Sequence, residues 1–183
     1  MALASRYISA PHPKTEIRPT REAMERVLAS GWVGQMKVHG HRAQIHLHAE
    51  PEVPPLVYTR HGALHKMALP PEIARELRRI LQPQSGWTVV DGEWLKPRQH
   101  FYLFDFLKKD GVELDDLTYP ERYALLPKHF ISPRVTLLPL LNTIEKCLAV
   151  MEQDADHVEG LVFKSLGSPG FSDTSILRCR KRV

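Results

Sequence analysis

Apolar and polar residues alternate over short runs along most of this chain and shift to a helical period in only a few segments. Alternation predicts strands at Trp32–Val38, Ala43–His48, Leu56–Arg60, Trp87–Trp94, Phe101–Leu107, Val135–Leu138, Val158–Ser165 and Ser175–Arg180. His39-Gly40 separates the first two, Pro51–Pro55 forms a surface turn, and Lys108-Lys109-Asp110-Gly111 closes the Phe101 strand. Helical signals are fewer. Thr20 can cap a helix to about Ala29 that Ser30-Gly31 stops. Pro71-Glu72 opens a helix with Ile73, Leu77, Ile80 and Leu81 on one face. Pro120 suits the first turn of a helix to about Phe130, and Asn142 caps another to about Gln153, with Glu145 placed for a capping box. Helices scattered among hairpin-like strand pairs predict an α+β fold of antiparallel sheets with flanking helices.

The 183 residues suffice for one domain with a continuous core, so a single domain over 1–183 is expected. No apolar run approaches the roughly 20 residues of a membrane span, and MALASRYISAPHPK does not read as a signal peptide. Cys147 and Cys179 lack CxxC spacing, so neither a disulfide framework nor structural zinc is expected and a cytoplasmic location is the default. The net charge of +4 identifies no partner. Its clusters, Arg75, Arg78 and Arg79 on one helix and Arg178, Arg180, Lys181 and Arg182 at the end, suit a phosphate backbone or a solvated surface equally.

Lys37 ends its strand in Lys37-Val38-His39-Gly40-His41-Arg42 and is either an exposed lysine at a hairpin end or a nucleophile. A nucleophilic lysine needs its proton made easier to lose, and Arg42, Lys164, Arg178 and Arg180 are candidate cations for that. Glu93, after Asp91-Gly92, is a solvated strand end or a carboxylate for a ribose diol. Phe104 is core, or a flat face for a purine. Arg60, before Gly62, is a strand terminus or a ribose or phosphate contact. Glu159 and Lys164 lie five apart and so point to opposite faces of an ideal strand; only a bend at Gly160, or Glu159 at the strand mouth, brings both to one cleft. Arg178 and Arg180 share a face while Leu177 and Cys179 pack inward. His39, His41, His46 and His48 invite a zinc reading but lack a carboxylate or cysteine at ligand spacing. Ser85, Ser165 and Ser168 have no evident base partner.

Together, and in this order, these segments resemble the covalent nucleotidyltransferases: ATP-dependent DNA ligases, RNA ligases and capping guanylyltransferases. Lys37–Arg42 takes the place of the family's KxDGxR, Arg60 and Gly62 of its RxG, Asp91-Gly92-Glu93 of its DGE, and Glu159–Lys164 of its EGxVxK. Phe104–Leu107 with Pro120–Leu126 looks particularly like DNA ligases. The resemblance implies a nucleotidyltransferase (adenylation) domain that uses ATP and Mg²⁺. Lys37 would be the adenylated lysine, Glu93 the ribose contact, Phe104 the adenine face and Glu159 the metal ligand. Lys164, Arg178 and Arg180 would hold the α-phosphate, and Arg42 the 5′-phosphate or the nucleotide. The implied partner is a nicked nucleic acid duplex sealed through a lysyl-AMP intermediate.

Three departures modify that picture. His39 stands where the family has aspartate, as in a group of nick-sealing and editing RNA ligases. Arg178 and Arg180 replace two lysines. The sequence ends at Val183, without the oligonucleotide-binding (OB-fold) domain that usually follows, so the catalytic domain would act alone or borrow that domain in trans from a partner protein. The Phe104–Leu126 stretch leans towards DNA and His39 towards RNA; DNA is the reading chosen, with an RNA ligase and a catalytically reduced binding subunit as alternatives. The DNA-ligase-like stretch argues against a GTP-using capping enzyme.

Overall fold

The computed structural model describes residues 4–182; the first three residues of the N-terminal stretch and Val183 lie outside them. In chain order they form β1 (Thr15–Glu16), α1 (Arg21–Ala29), β2 (Trp32–Val38), β3 (His41–His48), β4 (Leu56–Tyr58), α2 (Pro71–Leu81), β5 (Trp87–Leu95) and β6 (His100–Lys109). There follow β7 (Val112–Glu113), α3 (Tyr119–Ala124), β8 (Val135–Leu137), α4 (Ile144–Met151), β9 (Val158–Ser165) and β10 (Ile176–Arg180). The described residues fall into two compact units. One takes residues 4–9 and Gly40–Leu137, the other Ala10–His39 and residues 138–182.

The first unit is built on a six-stranded sheet in the order β4-β3-β5-β6-β7, with β8 parallel to β6. Alternation sends Ala43, Ile45, Leu47, Val90 and Trp94 into one core, where the predicted stripe Ile73, Leu77 and Ile80 of α2 is also buried. The opposite strand face carries Arg42, Gln44, Asp91 and Glu93, because Arg42 pairs with Glu93 and Gln44 with Asp91. In the second unit the four-stranded sheet runs β1-β10-β9-β2, with Met36, Leu161, Phe163, Leu177 and Cys179 packed with Met24 and Cys147. No helix of the described residues is long and apolar enough to cross a membrane.

The α+β expectation holds, and most elements lie where the pattern put them. Five details differ. The two runs either side of His39-Gly40 are not a hairpin: β2 pairs β9, whereas β3 pairs β4 and β5. The sheets are not wholly antiparallel, since β1 with β10 and β8 with β6 run parallel. The Leu56 strand ends at Tyr58, where the chain turns. The helix begun beside Pro120 ends at Ala124 rather than near Phe130; Pro127 lacks an N–H and its ring would clash with a carbonyl one turn back. Finally, Thr143 caps α4 by accepting from Lys146 N, while Asn142 takes the Lys146 ammonium at 3.0 Å. That shift by one residue puts Glu145 at the second helical position, so no capping box forms.

Candidate active site

In the second unit the strand register places Val33, Gln35 and Lys37 of β2 opposite Lys164, Val162 and Gly160 of β9. Across β9, Ile176, Arg178 and Arg180 of β10 meet the same three residues. Lys37, Lys164, Arg178 and Arg180 therefore project from one face of the sheet, with the apolar cluster on the other. Lys164 is buried at 5 % exposure and donates to Gln35 Oε1 at 2.9 Å, while Gln35 Nε2 donates to Leu138 O.

Glu159 joins that face through an irregularity. Lys37 pairs with Gly160 but Val38 with Val158, so Glu159 is the extra residue of a β-bulge. Its carboxylate lies 2.5 Å from Lys37 Nζ, with His39 Nδ1 at 3.5 Å. Gly160 has φ +145°, and a Cβ there would stand 2.2 Å from Cys179 O. Only glycine fits, and the bend removes the opposed-face conflict between Glu159 and Lys164. Burial pushes the Glu159 carboxyl up, but Lys37 and His39 more than reverse this and hold it below its usual value.

No motif or period along the chain points to Glu16. From β1 its Oε1 accepts from Arg180 Nε at 2.8 Å, and its Oε2 accepts from Arg180 Nη2 at 2.8 Å and Arg178 Nε at 3.2 Å. Arg180 first, and then Arg178, keeps this carboxyl below its usual range. Both terminal arginines are thus already engaged with a carboxylate.

The first unit gathers a second set. Arg42 forks onto Asp91, Nε to Oδ1 at 3.1 Å and Nη2 to Oδ2 at 2.5 Å, and its guanidinium lies 5.3 Å from the centre of the Phe104 ring. Glu93 Oε1 accepts from Gly40 N at 3.1 Å. Phe104 too is a bulge residue: Asp91 pairs with Asp105 and Gly92 with Leu103, so Phe104 is the extra residue between them. It is half-buried rather than core. Arg122, 2 % exposed, forks onto Asp105 at 2.9 and 3.1 Å, and the Tyr119 hydroxyl donates to Phe104 O at 2.6 Å, so α3 pins the bulge from below. Sequence reasoning assigned no role to Asp91, Asp105 or Arg122. For Asp91 a signal existed, since it sits two residues before Glu93 and so on the same strand face.

Other candidates disperse. Arg60 lies in the exposed turn after β4, where Gly62 has φ +77°; among the described residues its guanidinium bonds to His61 and not to Arg42, Glu93 or Phe104. Arg78 donates to His48 O and Val53 O, and Arg79 pairs with Glu76, so the basic helix face is largely occupied within the unit. The histidines gather no metal: His46 is wholly buried, accepting from Ser5 at Nδ1 (2.6 Å) and donating from Nε2 to Gln44 Oε1 (2.8 Å). Among the described residues no group of three or more His, Cys, Asp or Glu could hold an ion. A caged resident metal does not fit. A Mg²⁺ bound chiefly by phosphate oxygens and water needs only one or two carboxylates, and Glu159 suits that role.

The sequence model of the RNA ligase family matches residues 30–179. The chain belongs to the RNA ligase family. Among solved structures, this RNA-ligase-family chain is similar to mycobacterial DNA ligase D complexed with ATP and MES, at 19 % identity and a TM-score of 0.62, covering 93 % of this chain and 60 % of that one. The ligase domain of M. tuberculosis LigD aligns with a TM-score of 0.62, 19 % identity and coverage of 92 % and 58 %. An archaeal ATP-dependent RNA ligase aligns with a TM-score of 0.52 at 16 % identity, over 93 % of this chain and 48 % of that one. At such identities the likeness is one of fold, that of a ligase adenylation domain. The chain spans about 60 % of the first of these structures. No curated protein matches it.

Proposed function

We propose that the chain is the adenylation domain of an ATP-dependent polynucleotide ligase that seals 5′-phosphate/3′-hydroxyl nicks. The Lys37 amine attacks the α-phosphorus of ATP; a P–N bond forms, the bond to the bridging oxygen breaks, pyrophosphate leaves, and the lysine proton passes to solvent. AMP then moves to a 5′-phosphate, from which a 3′-hydroxyl displaces it. The observation that supports this best is the Lys37–Glu159 pair at 2.5 Å on the strand face that also carries Lys164, Arg178 and Arg180. The lysine attacks as its neutral amine, so the pair with Glu159 has to open before the bond to phosphorus forms.

Lys164, Arg178 and Arg180 stabilise the charge at the α-phosphate, where fixed cations act with little reorganisation. Glu93 accepts from the ribose hydroxyls, Phe104 stacks on adenine, and Arg60 and Arg42 meet the nucleotide or the 5′-phosphate. Glu159 would hold Mg²⁺, which when bound offsets negative charge on the departing pyrophosphate.

The test is incubation with α-labelled ATP and magnesium, followed by denaturing electrophoresis of wild type and Lys37→Ala. A labelled wild-type band and a blank variant are expected; a fully labelled Lys37→Ala refutes the scheme. The similarity of Phe104–Leu126 to DNA ligases supports a DNA nick. A second reading, an RNA ligase, draws support from membership of the RNA ligase family and from His39 beside Glu159. Nicked duplexes that differ only in the sugar on each side of the nick separate the two. Wild type that binds ATP or nicked duplex without labelling, and also fails on pre-adenylated nicks, would mark a binding subunit instead.

A further inference from the structure

We infer that Glu16 is a positioning residue that aims Arg178 and Arg180 at a phosphate, and that its presence is why arginines rather than lysines work at those two positions. The inference rests on the adenylation reading above.

The segment bearing Glu16 is tied at several points. Asp173 accepts from His12 N at 2.8 Å and pairs with Lys14 at 2.6 Å. Thr15 and Glu16 then add to the edge of β10 opposite Leu177 and Arg178, and Ile17 N donates to Arg178 O at 2.9 Å. The Glu16 carboxylate is therefore delivered to the two arginines by backbone pairing rather than by a free side chain. An exposed ion pair of this kind adds little to stability, so its consequence is orientation.

Donor geometry gives that orientation chemical content. A guanidinium has five N–H groups in a fixed fork. Arg180 gives Glu16 one from Nε and one from Nη2, and Arg178 gives one from Nε. Nη1 of each remains to meet a phosphate while the carboxylate steadies the other edge. A lysine has a single nitrogen, which Glu16 and the phosphate would have to share. Arginine at these positions and glutamate at 16 thus form a matched set.

Glu16→Gln, Glu16→Asp, Arg178→Lys/Arg180→Lys and the triple variant Glu16→Gln/Arg178→Lys/Arg180→Lys test this. Two readouts serve: the rate of covalent labelling at saturating ATP, and calorimetric binding of inorganic tripolyphosphate. Glu16→Gln should melt as wild type does yet label and bind tripolyphosphate about tenfold more weakly, the worth of one charge-assisted hydrogen bond. Glu16→Asp should recover part of both. The lysine pair should fail with Glu16 in place and improve when Glu16 is also replaced. Simple removal of a negative charge predicts the reverse for Glu16→Gln, so tighter binding or faster labelling there overturns the inference. A lysine pair as active as the arginines beside an intact Glu16 overturns it as well. If wild type takes no label and also fails on pre-adenylated nicks, the adenylation reading fails, and tripolyphosphate still decides the role of Glu16: no binding, or binding indifferent to Glu16, refutes it.

Discussion

Gly160→Ala attacks the fold and the candidate site through one methyl group. The new Cβ would sit 2.2 Å from Cys179 O, 2.9 Å from Arg180 Cα and 3.1 Å from Lys181 N, all backbone atoms of the neighbouring strand segment. Backbone cannot swing aside as a side-chain tip can. The substitution also forces an L residue to hold φ +145°. Backbone strain of about 1–3 kcal/mol and overpacking of about 1–3 kcal/mol together give a loss of about 2–6 kcal/mol, a large part of a domain's stability. Relief requires β9 and β10 to part or the bulge to move, and either re-aims Glu159 away from Lys37.

The measurement is urea unfolding followed by far-UV circular dichroism, with hydrogen exchange on peptides from β9 and β10 to localise the change. Gly167→Ala is the control, since a Cβ there meets nothing within 4 Å; it should stay within about 0.5 kcal/mol of wild type. Covalent labelling of Gly160→Ala should fall by more than the unfolded fraction explains. A Gly160→Ala protein within about 1 kcal/mol of wild type that still labels normally would refute both the steric reasoning and the role of the bulge.

Glu159→Gln should slow labelling at saturating ATP at least about tenfold, the equivalent of one lost charge-assisted bond; an unchanged rate would remove Glu159 from the site. Arg122→Met leaves Asp105 buried without its cation and should cost about 3–5 kcal/mol in chemical denaturation. By contrast Arg79→Met, which removes a surface pair with Glu76, should shift the denaturation midpoint far less than Arg122→Met does. Equal effects would refute the burial argument. Burial, followed by Lys108, lowers the His46 pKa to about 3, so the unfolded chain takes up a proton that the native ring refuses. The His46 contribution is complete above the unfolded value near 6.5 and is lost as pH falls towards 3, at up to about 1.4 kcal/mol per pH unit. His46→Gln should flatten the stability profile between pH 6.5 and 5, above the range where Glu159 and Glu16 begin to protonate; an unaltered slope would show that His46 is protonated in the fold.

Periodicity made much of this structure readable. Ile73, Leu77 and Ile80 face the core of their unit as their spacing demands, and Leu177 and Cys179 turn inward while Arg178 and Arg180 turn out. What periodicity cannot supply is the partner of each strand. Nothing in the residues around His39-Gly40 tells a hairpin from a crossing between two sheets, because both need a polar, glycine-containing link. Glu16 was hidden for a related reason: a two-residue strand has no period, and a surface glutamate among prolines looks like solvent-facing loop.

The sharper failure of alternation comes at Glu159 and Phe104, and it has one physical cause. Each is the extra residue of a bulge, where two residues oppose one and the in–out sequence skips a beat. Each bulge has a glycine beside it in the pairing. Gly160 adopts φ +145°, and a Cβ on Gly92 would strike the Phe101 ring at 2.3 Å and Tyr102 O at 2.4 Å. These are the glycines of Glu159-Gly160 and Asp91-Gly92-Glu93, segments read from the sequence chiefly for their carboxylates. The glycines serve the strands, making room for bulges that present an acid in one unit and an aromatic ring in the other. An acid or aromatic that breaks strand alternation beside a tightly packed glycine is therefore better sought on the polar face of the sheet than in its core.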